Sequence, residues 1–149
     1  MNKGKRVSIE LNSRLADDCV LMGESELSLL LLLNNSLVPW FIVVPKTEEV
    51  EFHCLDETLQ LGLLKQINAL AAYVNEHFCC EKMNIATIGN VVQQMHIHVV
   101  GRHSKDFCWP NVVWGASDCK PYTAEQIAII RSATLDIMSD FSAIEELTK

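Results

Sequence analysis

QQMHIHVVGR, Gln93 to Arg102, sets two histidines two residues apart in an otherwise apolar run. In an extended chain alternate side chains share a face. Gln94, His96, His98 and Val100 then point one way, and Gln93, Met95, Ile97 and Val99 the other. The second set is mostly apolar and suits packing beneath a helix. The first displays Gln-His-His in a row, with neighbours roughly 6–7 Å apart, a spacing that can bracket a tetrahedral phosphate. On the residues alone three uses of the pair stay open. The imidazoles can be satisfied core or surface side chains. They can be two ligands of one metal ion, with His53, His103 or a carboxylate completing the set, although no spacing nominates one of these. Or one ring attacks as a nucleophile while its second nitrogen donates to a backbone carbonyl, and the other histidine stabilises charge or protonates a leaving group.

Upstream of this stretch, residues 19–23 (CVLMG) and 27–33 (LSLLLLL) read as strands joined by a turn at Gly23-Glu24-Ser25, and Val38 to Val44 (VPWFIVV) as a third strand closed by Pro45. A helix is expected over roughly 55–78, where Leu59, Leu63, Ile67, Leu70, Val74 and Phe78 recur at three- and four-residue steps. MNIATIGN and VVQQMHIHVV then supply a fourth and a fifth β segment. Gly101 to Pro121, with two prolines, two tryptophans and two glycines, is expected to be irregular. T-A-E-Q, with Thr123 as N-cap and Gln126 three residues on, is a capping box that opens a last helix, for which Ile127, Ile130, Met138 and Phe141 supply part of an apolar face. The order β-β-β-α-β-β-α is that of an α+β domain: an antiparallel sheet of about five strands with one long helix after the third and a C-terminal helix.

Composition narrows the function. The 149 residues fit one domain with a sizeable core. The net charge of −7 disfavours non-specific binding to nucleic acid or to an anionic membrane. The most apolar run, Leu27 to Val44, is interrupted by Asn34, Asn35, Ser36 and Pro39, too often for a membrane span. The first residues have no signal-peptide pattern, and six cysteines without a C-x-x-C read as reduced thiols of a cytoplasmic protein. There is no G-x-x-x-x-G-K-[ST] and no G-x-G-x-x-G. A phosphate would therefore have to be held by side chains and strand-end amides.

Q-M-H-I-H-V-V resembles the histidine triad motif, H-φ-H-φ-H-φ-φ, with Gln94 in the place of the first histidine. W-F-I-V-V-P-K, Trp40 to Lys46, resembles the strand ending in Pro-Lys that precedes the family's long helix. Asn84-x4-Gly89 resembles the Asn-x4-Gly before the triad, and Gly101-Arg102 the arginine that often follows it. The likeness spans roughly residues 14 to 102. It implies a single histidine triad (HIT) domain over residues 1–149, with the triad at 94–100 and a specificity segment and helix from about 101 onward. It implies a homodimeric nucleotide hydrolase or nucleotidyl transferase in which His96 attacks an α-phosphate and becomes a nucleotidyl-histidine, His98 contacts the phosphate or the leaving group, and water or another acceptor removes the nucleotide. No cofactor or metal in the protein is required by that scheme; magnesium would enter with a polyphosphate substrate.

Gln94 marks a divergent, bacterial-type branch. Glutamine cannot titrate, but it can orient its neighbours by hydrogen bonding, which is the role expected of it here beside His96 and His98. By the same resemblance Asn34 is placed where relatives bind ribose hydroxyls, Asn90 where they place a residue by the phosphate, and Asn84 and Arg102 complete the expected substrate-binding set. Asn34 with Asn35 equally suits a plain turn. His103 and Lys105 read as a solvated cluster, while Trp109 and Trp114 suit either core packing or the closing of a pocket or dimer seam. Two other functions fit the same residues: a nucleotide-binding module without turnover, and a metal-binding protein using His96 and His98.

Overall fold

The computed structural model describes residues 8–144. Its elements run α1 (Ser13–Asp18), β1 (Cys19–Glu24), β2 (Ser28–Leu33), β3 (Trp40–Pro45), a 3-10 turn (Phe52–Cys54), α2 (Glu57–His77), β4 (Lys82–Ala86), β5 (Ile97–Arg102) and α3 (Ala124–Ile137). The five strands form one sheet in the order β1-β2-β3-β5-β4, with every neighbouring pair antiparallel. This is the α+β architecture expected from the sequence, with the long helix after β3 and a C-terminal helix.

The sheet is buried on both faces, which explains the nearly continuous apolar runs of β2 and β3. On one face Leu30, Leu32, Phe41, Val43, Ile97 and Val99 pack against Leu63, Ile67, Leu70 and Val74 of α2. Ile130 of α3 and, beyond its end, Met138 and Phe141 join the same core. On the other face Leu29, Leu31, Trp40, Ile42, Val44 and Val100 are covered by two segments: residues 9–15, which run into α1, through Ile9, Leu11 and Leu15, and the irregular stretch after β5, through Val113 and Trp114. At Gly101 a Cβ would run into the Cys80 sulfur and lie 2.8 Å from Pro39 and 3.0 Å from Val74. Only a glycine lets β5 pass so close beneath α2.

Local signals set the helix boundaries. Asp56 accepts a hydrogen bond from Leu59 N at the start of α2, and Thr123 and Gln126 form the reciprocal capping box of α3. Two expectations need correction. Gly23 and Glu24 belong to β1, and the turn is made by Ser25, whose amide donates to the Ser28 carbonyl at 2.8 Å. Inside it Ser25 and Ser28 hydrogen-bond to the buried Gln66 of α2, which fills a polar gap that no periodicity announces. The fifth strand begins at Ile97, so Gln93 to His96 are extended approach rather than ladder.

Candidate active site

His96 precedes β5 and His98 lies within it, opposite Ile42 of β3 and Ala86 of β4. Both side chains are buried, and their ring centroids are 4.8 Å apart at 70°. Met95, Ile97 and Val99, between and beyond them, are anchored in the α2 core. The alternation of side chains therefore throws the imidazoles toward the opposite side.

The two rings are held differently. His96 Nδ1 lies 2.6 Å from the carbonyl oxygen of Gln94. A carbonyl only accepts, so Nδ1 carries the proton and Nε2 keeps a free lone pair. His98 is packed between Trp40 and Trp114, at centroid distances of 5.7 and 5.4 Å, and Trp40 Nε1 is 2.9 Å from His98 Nδ1. Burial, with a smaller contribution from His96, pushes the His98 pKa down to about 4.

Gln94 meets His96 through its backbone carbonyl and not through the side chain expected to orient it. Its side chain is engaged elsewhere: Oε1 accepts from Asn12 N at 2.8 Å and Nε2 donates to Glu10 O at 3.0 Å. The residue ties down the N-terminal segment that covers one face of the sheet.

A cavity of about 340 Å³ opens at His96, lined among others by Glu51, Gly89, Asn90 and Gln93. Gly89, at φ +44°, takes the left-handed turn that brings Asn90 to this wall. Of the expected binding residues only Asn90 lines the cavity. Asn34 Oδ1 instead accepts from Tyr122 N at 2.9 Å, stitching the turn after β2 to the segment before α3. Asn84 Oδ1 accepts from Arg102 Nη1 at 2.9 Å.

Arg102, expected at the substrate, is only 2% exposed and engaged within the protein. Nε and Nη2 grip the Asp106 carboxylate at 2.7 and 3.0 Å, and Nη2 also donates to Asn111 O at 2.8 Å. Its guanidinium carbon lies 5.6 Å from the Trp109 ring centroid. Burial works against the Asp106 charge, but Arg102 and the amides of His103 and Cys108 outweigh it and hold the carboxyl at about 2. This knot folds the chain after β5 back over the sheet, so that Trp114 reaches His98. Neither Asp106 nor Trp40 stands out in the sequence as a site residue. Asp106 reads there as an ordinary surface charge, and Trp40 as one more strand aromatic.

Among the described residues no group of three His, Cys, Asp or Glu side chains is placed to hold a metal ion, and no helix is long and apolar enough to cross a membrane.

Comparisons with known proteins agree with this arrangement. The HIT domain model matches residues 14–105. A histidine triad protein from Marinobacter aquaeolei is 36% identical, with 89% of this chain and 98% of that one covered and a TM-score of 0.84. One from Bradyrhizobium japonicum is 33% identical, covering 87% and 97% at 0.83, and one from Sinorhizobium meliloti is 30% identical, covering 89% and 99% at 0.85. No curated protein matches. Both the site and the match over most of the chain therefore lead to one family: this protein belongs to the histidine triad (HIT) family.

Proposed function

We propose that the protein is a nucleotide hydrolase or nucleotidyl transferase that works through a covalent intermediate on His96. Its substrate is a nucleoside monophosphate joined to a leaving group as an ester, anhydride or phosphoramidate. The observation that carries this reading is the 2.6 Å contact from His96 Nδ1 to the Gln94 carbonyl, because it leaves the Nε2 lone pair beside the cavity.

Nε2 attacks the α-phosphorus and the bond from phosphorus to the leaving group breaks. The leaving group departs with the electron pair and takes a proton from solvent. The nucleotidyl-imidazolium keeps its Nδ1–H on the Gln94 carbonyl, which favours the positive charge. Water then attacks phosphorus and loses a proton, and the phosphorus–nitrogen bond breaks to restore the lone pair. One difficult displacement becomes two easier ones. Asn90 contacts the substrate from the cavity wall, and His98 stabilises charge beside the nucleophile. The chain needs no cofactor for this, magnesium arrives only with a polyphosphate substrate, and the protein works in the cytoplasm as a homodimer.

The test is AMP release from adenosine 5′-phosphoramidate and from diadenosine tetraphosphate by wild type, by His96→Ala and by wild type in EDTA. The phosphoramidate arm is the decisive one for EDTA. Release that is abolished in His96→Ala and retained in EDTA supports the mechanism. A wild type that binds AMP in a titration but releases none from either substrate would be a nucleotide-binding module instead. Sedimentation of the purified protein reads the dimer.

A further inference from the structure

We propose that Trp40 is a positioning residue for His98. Its indole N–H fixes His98 as the neutral tautomer protonated at Nε2, so that the site presents a lone pair on His96 and a hydrogen-bond donor on His98 side by side. The proposal rests on the reading of His96 as the nucleophile.

Trp40 and His98 occupy adjacent strands on the same sheet face, two residues off register: Trp40 pairs with Val100, and His98 with Ile42. Diagonal neighbours of this kind lie within reach of a large aromatic side chain. The indole nitrogen can only donate. At 2.9 Å from His98 Nδ1 it requires an unprotonated acceptor there. A neutral imidazole must then carry its one proton on Nε2. His96 is locked the opposite way by a group that can only accept, the Gln94 carbonyl. Two neighbouring rings thus hold complementary Nε2 atoms, one nucleophilic and one protonated, set by one obligate donor and one obligate acceptor.

This arrangement defines what His98 does. Giving up the Nε2 proton would leave an imidazolate, so His98 is no proton source for the leaving group. It donates a hydrogen bond to a phosphoryl oxygen as charge builds there. Trp114 touches the same ring on its edge without hydrogen-bonding it, and so supplies the control for packing alone.

The experiment is nitrogen-15 NMR of the histidine side chains in wild type, Trp40→Phe and Trp114→Phe, with phosphoramidate kinetics on the same samples. Wild type should show His98 protonated at Nε2 and bare at Nδ1. In Trp40→Phe the Nδ1 signal should move toward that of exchanging tautomers, while Trp114→Phe leaves it in place. In Trp40→Phe kcat should fall about tenfold with KM little changed, less than the roughly 10²–10³ lost when an oxyanion donor is removed outright. Three results would overturn the proposal: a wild-type His98 protonated at Nδ1, a Trp40→Phe spectrum that does not change, or an equal change in Trp114→Phe. An altered tautomer with unchanged kcat would overturn the positioning role. If Trp40→Phe fails to fold, the bond is read from its other end. The Trp40 indole N–H signal should shift in His98→Ala, and a signal that stays put counts against the bond. If wild type releases no AMP, the nucleophile reading fails, while the tautomer spectra still decide the lock.

Discussion

Strand β5 carries two buried polar assemblies on one face, and they are built on opposite principles. Near its start His98 sits between two tryptophans, neutral, with one hydrogen bond from Trp40. At its end Arg102 is fully charged and matched by the Asp106 carboxylate, Asn84 and a backbone carbonyl. Burial is tolerable in the first case because the proton is given up, and in the second because several polar groups replace the lost water. The neutral assembly sits beside His96. The charged one holds the loop that packs against it.

The comparison can be broken at either end. The largest effect belongs to the reaction: His96→Ala should lower AMP release by about 10⁴-fold or more, equivalent to about 5 kcal/mol, while urea unfolding changes far less. Next, Asp106→Ala strands the Arg102 charge and should cost about 3–5 kcal/mol in urea unfolding. Acid separates the two assemblies. His98 has a folded pKa of about 4 against an ordinary 6.5. The unfolded chain therefore takes up that proton first, and stability falls as pH drops from about 6.5 toward 4, by up to about 3 kcal/mol. Asp106, at about 2 against an ordinary 3.8, adds its own loss only below that window. Unfolding midpoints measured across pH in wild type and His98→Gln should show the first slope vanish and the second remain. Gln94→Ala removes two hydrogen bonds to the N-terminal segment and should cost about 1 kcal/mol, with faster amide exchange over residues 8–15 and a kcat within tenfold of wild type, since the carbonyl that holds His96 is kept.

These differences also show which features the sequence carries. The apolar steps from Leu59 to Val74, the Thr123–Gln126 box and the alternation through Met95, Ile97 and Val99 are local patterns, and each specifies an element directly. The partners of polar side chains are not local. Arg102 and Asp106 stand four apart and would pass for a surface pair; they are buried because the chain beyond folds back across them. Asn84 matches a family spacing and Asn34 a family position after the Leu strand, yet their side chains answer to Arg102 and Tyr122. Trp40 has the composition of any central strand, and its donor role depends on a register that only the paired sheet creates. The strand's late start at Ile97 escaped for a similar reason, since the run from Val91 to Val100 reads alike with or without a neighbour to pair with.

Gln94 joins two parts of the chain that lie far apart in sequence. Its amide is tied to Glu10 and Asn12, more than eighty residues away, while its own carbonyl holds the His96 ring. The N-terminal segment and the His96 ring are therefore held by one and the same residue. Trimming that segment, or pulling on it with a fused tag, would free the Gln94 side chain but leave the carbonyl at His96 in place, and so would cost order in the segment far more than it disturbs the ring.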